Sequence, residues 1–453
     1  MITEPRPRRP YEKKTISKGG ALIFGIGLGA LMASVAIVAG IILPSISPHL
    51  DNLSYRARTY YRKLMPHPEY LPTPAPTVST GVAVASNDGD IQLNLPPVSN
   101  DTNLEEAVPD SNEGETNLIV SNDIVSLEEE VEPAPIQTPV TPAPLTGQIQ
   151  LTGFTHQWQT WNNCGPATVT MAMSFFGSTE TQVEAAQFLK PNRDDKNVSP
   201  HELAAYVRST GLESMVRRGG SIEQLKQLLN HSIPVIAETW LIHDSDGLGH
   251  YRLLTGYDDA TGQFNTFDSL SGPDYKVSYA QFDADWRVFN RLYIPVYPAM
   301  QADTVKSIIG EDVDNTTMYE NVLAQAQADA AANPNDAIAF FNQGDALTRL
   351  GRNQEAVVAF DQARQLGLHW RRLWYQFTPF EAYYAVGRYQ DVLDLTEATL
   401  KGTGGLEEAY YYHGLALLAT DQPGAESDFQ AALAYNPLFT PAADALNLLL
   451  EDE

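Results

Sequence analysis

One cysteine occurs in the 453 residues, Cys164, within the stretch QTWNNCGPATVTM. A thiol attacks a carbonyl as thiolate, and a helix N-terminus or a neighbouring imidazolium favours that form. The residues after Cys164 suit a helix start, with Pro166 tolerated in the first turn because an N–H there would have no partner anyway. Taken alone, a single cysteine is more often a small buried apolar residue. A nucleophilic cysteine also needs a base within hydrogen-bond reach, and the base needs an acceptor on its other nitrogen. GLGHYRLLTGYDDATGQFNTFDS supplies both, His250 opening one strand and Asp268 near the end of the next. A tight GYDDATG turn between them makes a hairpin that brings the two side chains to the same end. The oxyanion of a tetrahedral intermediate needs donors as well. Gln159, five residues before the cysteine, is the preferred side chain and Gln157, seven before it, the alternative, alongside the backbone N–H of Cys164.

Other polar residues read more plainly. HDSDGLGH, with His243, Asp244, Asp246 and His250, matches no complete calcium loop and reads as a glycine-rich loop leading to the histidine. No metal or other cofactor is expected. Asp258 and Asp259 could compete with Asp268 as the orienting acid, but their place in GYDDATG suits turn capping. Trp158, Trp240 and Trp286 read as core, and Trp161 as a residue bordering the site through its closeness to Cys164.

The elements that must position these groups follow from periodicity. Helices are expected from the cysteine to Phe176, with Val169, Met173 and Phe176 on one apolar face, over 199–211 and from Ser221; IPVIAETW, HYRLLTGY, GQFNTFDS and RLYIPVY read as strands. Helices first and strands later imply an α+β domain, placed at 150–298. QTWNNCGPAT, GHYRLLTGYDD and FDS, in that order, resemble the C39-like cysteine peptidases, relatives of the papain fold. The resemblance implies Cys164 as nucleophile, His250 as general base and then acid, Asp268 as its orienting partner, and a glutamine at the oxyanion. That glutamine often stands six residues before the family's cysteine, where this chain has Trp158. The best-known relatives remove double-glycine leader peptides and are fused to ABC transporters; this chain shows no nucleotide-binding motif, which disfavours leader processing in the cytoplasm.

Outside that domain the composition changes. Residues 21–43 carry no charge and are long enough to cross a bilayer, with basic residues over 1–20 that favour a cytoplasmic N-terminus. A cleaved signal peptide is the rival reading of this stretch. Residues 44–149, rich in proline and acidic residues, read as a disordered linker. No Lys or Arg occurs from Leu64 to Leu189, and the net charge of −27 argues against a nucleic-acid partner. After a linker and capping helix at 299–332, residues 333–453 are helical. Gly344, Ala356, Phe360 and Ala363 are echoed by Gly414, Ala425, Phe429 and Ala432 at the spacings of tetratricopeptide (TPR) repeats. The expected protein is a membrane-anchored, extracytoplasmic cysteine peptidase acting on a peptide or protein, with a papain-like domain and an all-α TPR-like domain for a protein partner. The alternative is a non-catalytic peptidase-like binding module on a repeat scaffold.

Overall fold

The computed structural model describes residues 70–74, 145–190, 192, 195–243 and 246–451. The basic N-terminus, the membrane helix expected over 21–43, and the linker except for residues 70–74 and 145–149 fall outside them. Among the described residues no helix is long and apolar enough to cross a membrane.

The first half is α+β. In chain order it contains β1 (Gln148–Gln150), α1 (Cys164–Ser174), α2 (Gln182–Leu189), α3 (Pro200–Ser209), β2 (Glu213–Ser214), α4 (Ile222–Asn230), β3 (Val235–His243), β4 (Asp246–Asp258), β5 (Gln263–Asp268), β6 (Gly272–Ser278), α5 (Tyr279–Trp286) and β7 (Tyr293–Tyr297). The strands run β2-β7-β3-β4-β5-β6, with β1 on the far end of β4. Alternation along β4 sends successive side chains to opposite faces. Tyr251 and Leu253 join Val169, Met173 and Leu203 in one core, while Leu254 joins Leu225, Phe282 and Trp286 in another. Helix α3 begins where SPHE predicts: the Ser199 hydroxyl accepts from the Glu202 N–H, and the Glu202 carboxylate accepts from the Ser199 N–H. Such a cap is worth about 1 kcal/mol.

Several expectations need correction. Residues 246–249, read as a loop, are the start of β4 and pair with Trp240–His243 of β3. Their glycines are there for packing: a Cβ at Gly247 would overlap the Trp240 ring, and one at Gly249 would press on the Tyr375 ring at 3.0 Å. Helix α1 buries every side from Gly165 to Ser174 rather than one face. The domain also exceeds 150–298 at both ends. Gln148–Gln150 pairs with Gly256–Asp258, and α6 (Ala302–Ile309), expected as linker, buries Val305 and Ile309 in the core containing Leu225.

The second half is a run of helices: α7 (Asn315–Ala332), α8 (Ala337–Arg349), α9 (Asn353–Gln365), α10 (Thr378–Ala385), α11 (Tyr389–Thr403), α12 (Glu407–Ala419), α13 (Ala425–Tyr435) and α14 (Thr440–Glu451). Two close approaches repeat. A Cβ on Gly344 would lie 2.6 Å from the Phe360 ring, and one on Gly414 2.8 Å from the Phe429 ring. Glycines 351 and 387 each turn the chain between helices at φ +72° and +76°, a conformation that glycine adopts without strain.

The helical run packs directly on the sheet domain. Buried Arg371 donates through Nη1 to the Gly247 carbonyl at 3.0 Å, Arg372 donates through Nη2 to the Val288 carbonyl at 2.5 Å, and Asn290 donates to Asp345 at 2.7 Å. Residues 70–74, expected in the disordered linker, are seated on the helices. The Leu71 N–H donates to the Leu368 carbonyl at 2.9 Å, Arg364 Nε–H donates to the Pro72 carbonyl at 2.8 Å, and the Leu71 side chain is part of the helical core. One apolar side chain with two main-chain bonds is what fixes a stretch whose composition otherwise opposes order.

Candidate active site

Cys164 is the first residue of α1 and, taken as a whole residue, is half-buried. The turn before it is tight: Asn162 has left-handed backbone, φ +54°, and the Asn163 N–H donates to the Thr160 carbonyl at 3.3 Å. Asparagine tolerates that conformation better than most residues. Asn163 is the N-cap, yet its side chain makes no capping hydrogen bond to the helix. Gly165 lets the helix approach Val198, where an added Cβ would stand 3.3 Å away.

The hairpin brings His250 and Asp268 together in full burial. His250 Nε2 lies 3.1 Å from Asp268 Oδ1. That same oxygen accepts the N–H groups of Leu270 and Ser271, each at 2.8 Å, and Oδ2 accepts the Nε–H of Arg252 at 3.0 Å. Burial opposes ionisation of Asp268, but the His250 charge and hydrogen bond, then Arg252, outweigh it and hold the carboxyl well below its usual range. The other ring nitrogen, His250 Nδ1, is buried and makes no hydrogen bond among the described residues. The ring lies close enough to Cys164 for each to shift the other. Burial pulls the imidazole down, while Asp268 and then Cys164 raise it, to about 9. Burial pushes the thiol up, while His250, the Tyr251 backbone and Lys190 bring it below its ordinary value. The two shifts run in the direction of a thiolate beside an imidazolium.

The two glutamines have different surroundings. Gln159 is buried, its N–H donates to the Ser269 carbonyl at 3.1 Å, and its Oε1 accepts the Ser269 hydroxyl at 2.7 Å. With the oxygen taken, its amide nitrogen is the group left to donate. Gln157 instead donates to Thr170 Oγ1 at 3.0 Å and accepts the Gln182 N–H at 2.7 Å, tying the loop to α1 and the start of α2. Asp258 accepts the Ala260 N–H at 2.9 Å and so caps the turn, whereas Asp259 accepts the Tyr279 hydroxyl at 2.8 Å and pairs with Lys226 Nζ at 2.9 Å rather than capping it. Trp286 is fully buried with its N–H on the Leu292 carbonyl at 2.6 Å, and Trp240 packs against His369 and Tyr375 of the helical half. Trp158 is 42% exposed, so it is not core; its ring lies over Gly272. Asp244 lies outside the described residues, and among those described no three His, Cys, Asp or Glu side chains converge as metal ligands.

Sequence reasoning passed over Arg252, Ser269 and Lys190. Arg252 stands two residues after His250, and period 2 places both on one face of β4, a legible signal. Ser269 directly follows Asp268. Lys190 carried no local signal, since it reaches the site from the end of another helix.

Residues 146–294 match the model of the Peptidase_C39 like family. No curated protein matches the chain. Among solved structures, a C39-like peptidase from Bacillus anthracis is 16% identical, covering 33% of this chain and 96% of its own, with a TM-score of 0.27. A double glycine motif protease from an AMS/PCAT transporter, in complex with the leader peptide, is 19% identical over 34% and 99%, TM-score 0.25. Xylellain, a cysteine protease from Xylella fastidiosa, is 13% identical over 35% and 91%, TM-score 0.24.

Proposed function

The chain carries a C39-like, papain-like peptidase domain joined to a helical C-terminal region, and from this we propose that it is a cysteine peptidase hydrolysing peptide bonds. The observation that carries the reading is the His250–Asp268 pair, with the free nitrogen of His250 beside a thiol at a helix start. Cys164 thiolate attacks the scissile carbonyl carbon, and the carbonyl π-electrons move to oxygen. That oxyanion is met by the Cys164 N–H and the Gln159 amide. The imidazolium of His250 gives its proton to the leaving nitrogen, the C–N bond breaks, and an acyl-thioester remains. Water, deprotonated by the now neutral His250, attacks the thioester and releases the acid and the thiolate. Asp268 holds the ring throughout and stabilises its charged form.

The wider setting belongs to the same proposal. An apolar stretch over 21–43 with a basic N-terminal flank supports a membrane anchor that leaves the catalytic domain outside the cytoplasm. The repeated Gly344–Phe360 and Gly414–Phe429 contacts support a TPR-like repeat that binds a protein partner. The substrate is a peptide or protein.

The test is the full chain against a mixed peptide library, beside labelling by iodoacetamide at pH 6. Hydrolysis and rapid labelling are expected, both lost in Cys164→Ala. A wild-type thiol that reacts only near its free pKa of about 8.5, with no hydrolysis, would leave the non-catalytic binding module as the better reading.

A further inference from the structure

Lys190 is the first cationic residue after Lys63 and lies directly behind α2. Its side chain is buried, which a lysine tolerates only where its ammonium is well bonded. Nζ donates to the Asn162 carbonyl at 3.0 Å and to Asn163 Oδ1 at 3.3 Å. These are the two residues immediately before Cys164. Asn163 Nδ2 in turn donates to Thr160 Oγ1 at 2.8 Å, so both ends of that amide are held away from the helix.

The position matters because asparagine is among the strongest N-capping residues. A capping side chain accepts from the second or third N–H of its helix. Here the third residue is Pro166, which has none, so the capping donor would be the Gly165 N–H, next to that of Cys164. An oxygen seated there would put lone pairs where the oxyanion is to form, repelling it and filling its place. Instead the helix start has no side-chain cap.

We propose that Lys190 is a positioning residue: by holding the Asn162 carbonyl and drawing the Asn163 side chain aside, it keeps the N-terminus of α1 open for the oxyanion. The proposal rests on the peptidase reading, since it presumes that Cys164 attacks a carbonyl. The lysine also contributes a positive charge that favours the thiolate. The titratable groups that face it are Cys164, Asp195 from the loop after α2, and Glu407 from the first turn of α12, the two carboxyls pushed up by burial. Glu202, Glu408 and Lys196 surround those carboxylates. Lys190 is thus where the helical half meets the nucleophile's turn.

Two probes separate this role from general support of the fold. Iodoacetamide alkylates a thiolate by displacement and needs no oxyanion donors. A peptide aldehyde adds to the thiolate, forming an S–C bond while its oxygen takes the imidazolium proton, and does need them. In the full chain, Lys190→Met should slow alkylation at pH 6 by about three- to tenfold, half to one pKa unit. It should weaken capture of a mixed-sequence peptide aldehyde library by at least about another tenfold. Adding Asn163→Ala to Lys190→Met should recover most of that second loss but not the first. Asn163→Ser, a strong cap too short to follow Lys190, should reduce aldehyde capture about tenfold with alkylation near wild type; this arm holds even if Lys190→Met fails to fold. Equal losses with both probes, no recovery in the double variant, or unchanged aldehyde capture in Asn163→Ser would overturn the proposal. A wild-type thiol inert to iodoacetamide at pH 6 would instead sink the peptidase reading beneath it.

Discussion

The two oxygens of Asp268 are divided between residues two apart on β4: Oδ1 faces His250 Nε2 at 3.1 Å, and Oδ2 accepts Arg252 Nε–H at 3.0 Å. The carboxylate therefore keeps a fixed cation whatever the state of the imidazole. Asp268→Asn should reduce kcat/KM by about 10⁴, the scale expected when the ring loses the acceptor that sets its tautomer and charge. Steady-state hydrolysis measures it, and a loss below tenfold would refute the assigned role. Arg252→Met should cost stability foremost, about 1–3 kcal/mol in urea unfolding, because it leaves the buried Oδ2 of Asp268 without its donor.

Activity should follow a bell in pH whose limbs have known signs. The thiol is shifted below its ordinary value and His250 up to about 9, so the proposed thiolate–imidazolium pair should be confined between the two. The acid limb marks thiolate protonation and the alkaline limb marks loss of the imidazolium proton near pH 9. The raised His250 also links to folding: its stabilisation is complete below its unfolded pKa of about 6.5 and fades as pH rises through 9. A pH series of kcat/KM and of thermal midpoints checks both, and an acid limb at or above pH 8.5 would be incompatible with an activated thiol.

Gln159 and Gln157 should separate cleanly. Gln159→Ala removes the donor proposed for the oxyanion and should lower kcat by about 10²–10³ with iodoacetamide reactivity unchanged. Gln157→Ala breaks bonds between the loop, α1 and α2, so its loss should appear in the melting temperature. If Gln157→Ala gave the selective kcat loss instead, the oxyanion assignment would move to it.

Leu71 is 4% exposed within the helical core. Leu71→Ala should cost about 2–5 kcal/mol in the stability of that core if the seat is as tight as a normal interior. Protease cleavage after the nearby Tyr70 should also quicken. Indifference of both measurements would mean that the segment does not hold in solution.

The pairing of His250 with Asp268 was legible in the primary structure because it is local. Eighteen residues separate His250 from Asp268, and a turn signal between them sets which ends meet. The surroundings were not, because their causes lie far along the chain. Gly247 and Gly249 look like loop punctuation until Trp240 and Tyr375 are seen to occupy the space of their missing side chains. Arg371 bonds the Gly247 carbonyl from 124 positions away, and no periodicity announces such a partner. Helix α1 was given one apolar face because Thr168, Thr170 and Ser174 count as polar; they are buried with their hydroxyls on carbonyls of Tyr251, Pro166 and Met171.

The seat of Tyr70–Pro74 on the helices sets the length of the leash. From residue 43 to the folded domain at 145, a chain can span at most about 370 Å. Pinned at residue 70, the same chain reaches at most about 100 Å from that point. With the N-terminal stretch held as proposed above, the proposed site would work only within that radius, and targets beyond it would have to be brought to it. Releasing the pin would widen the patrolled volume without altering a single residue of the site.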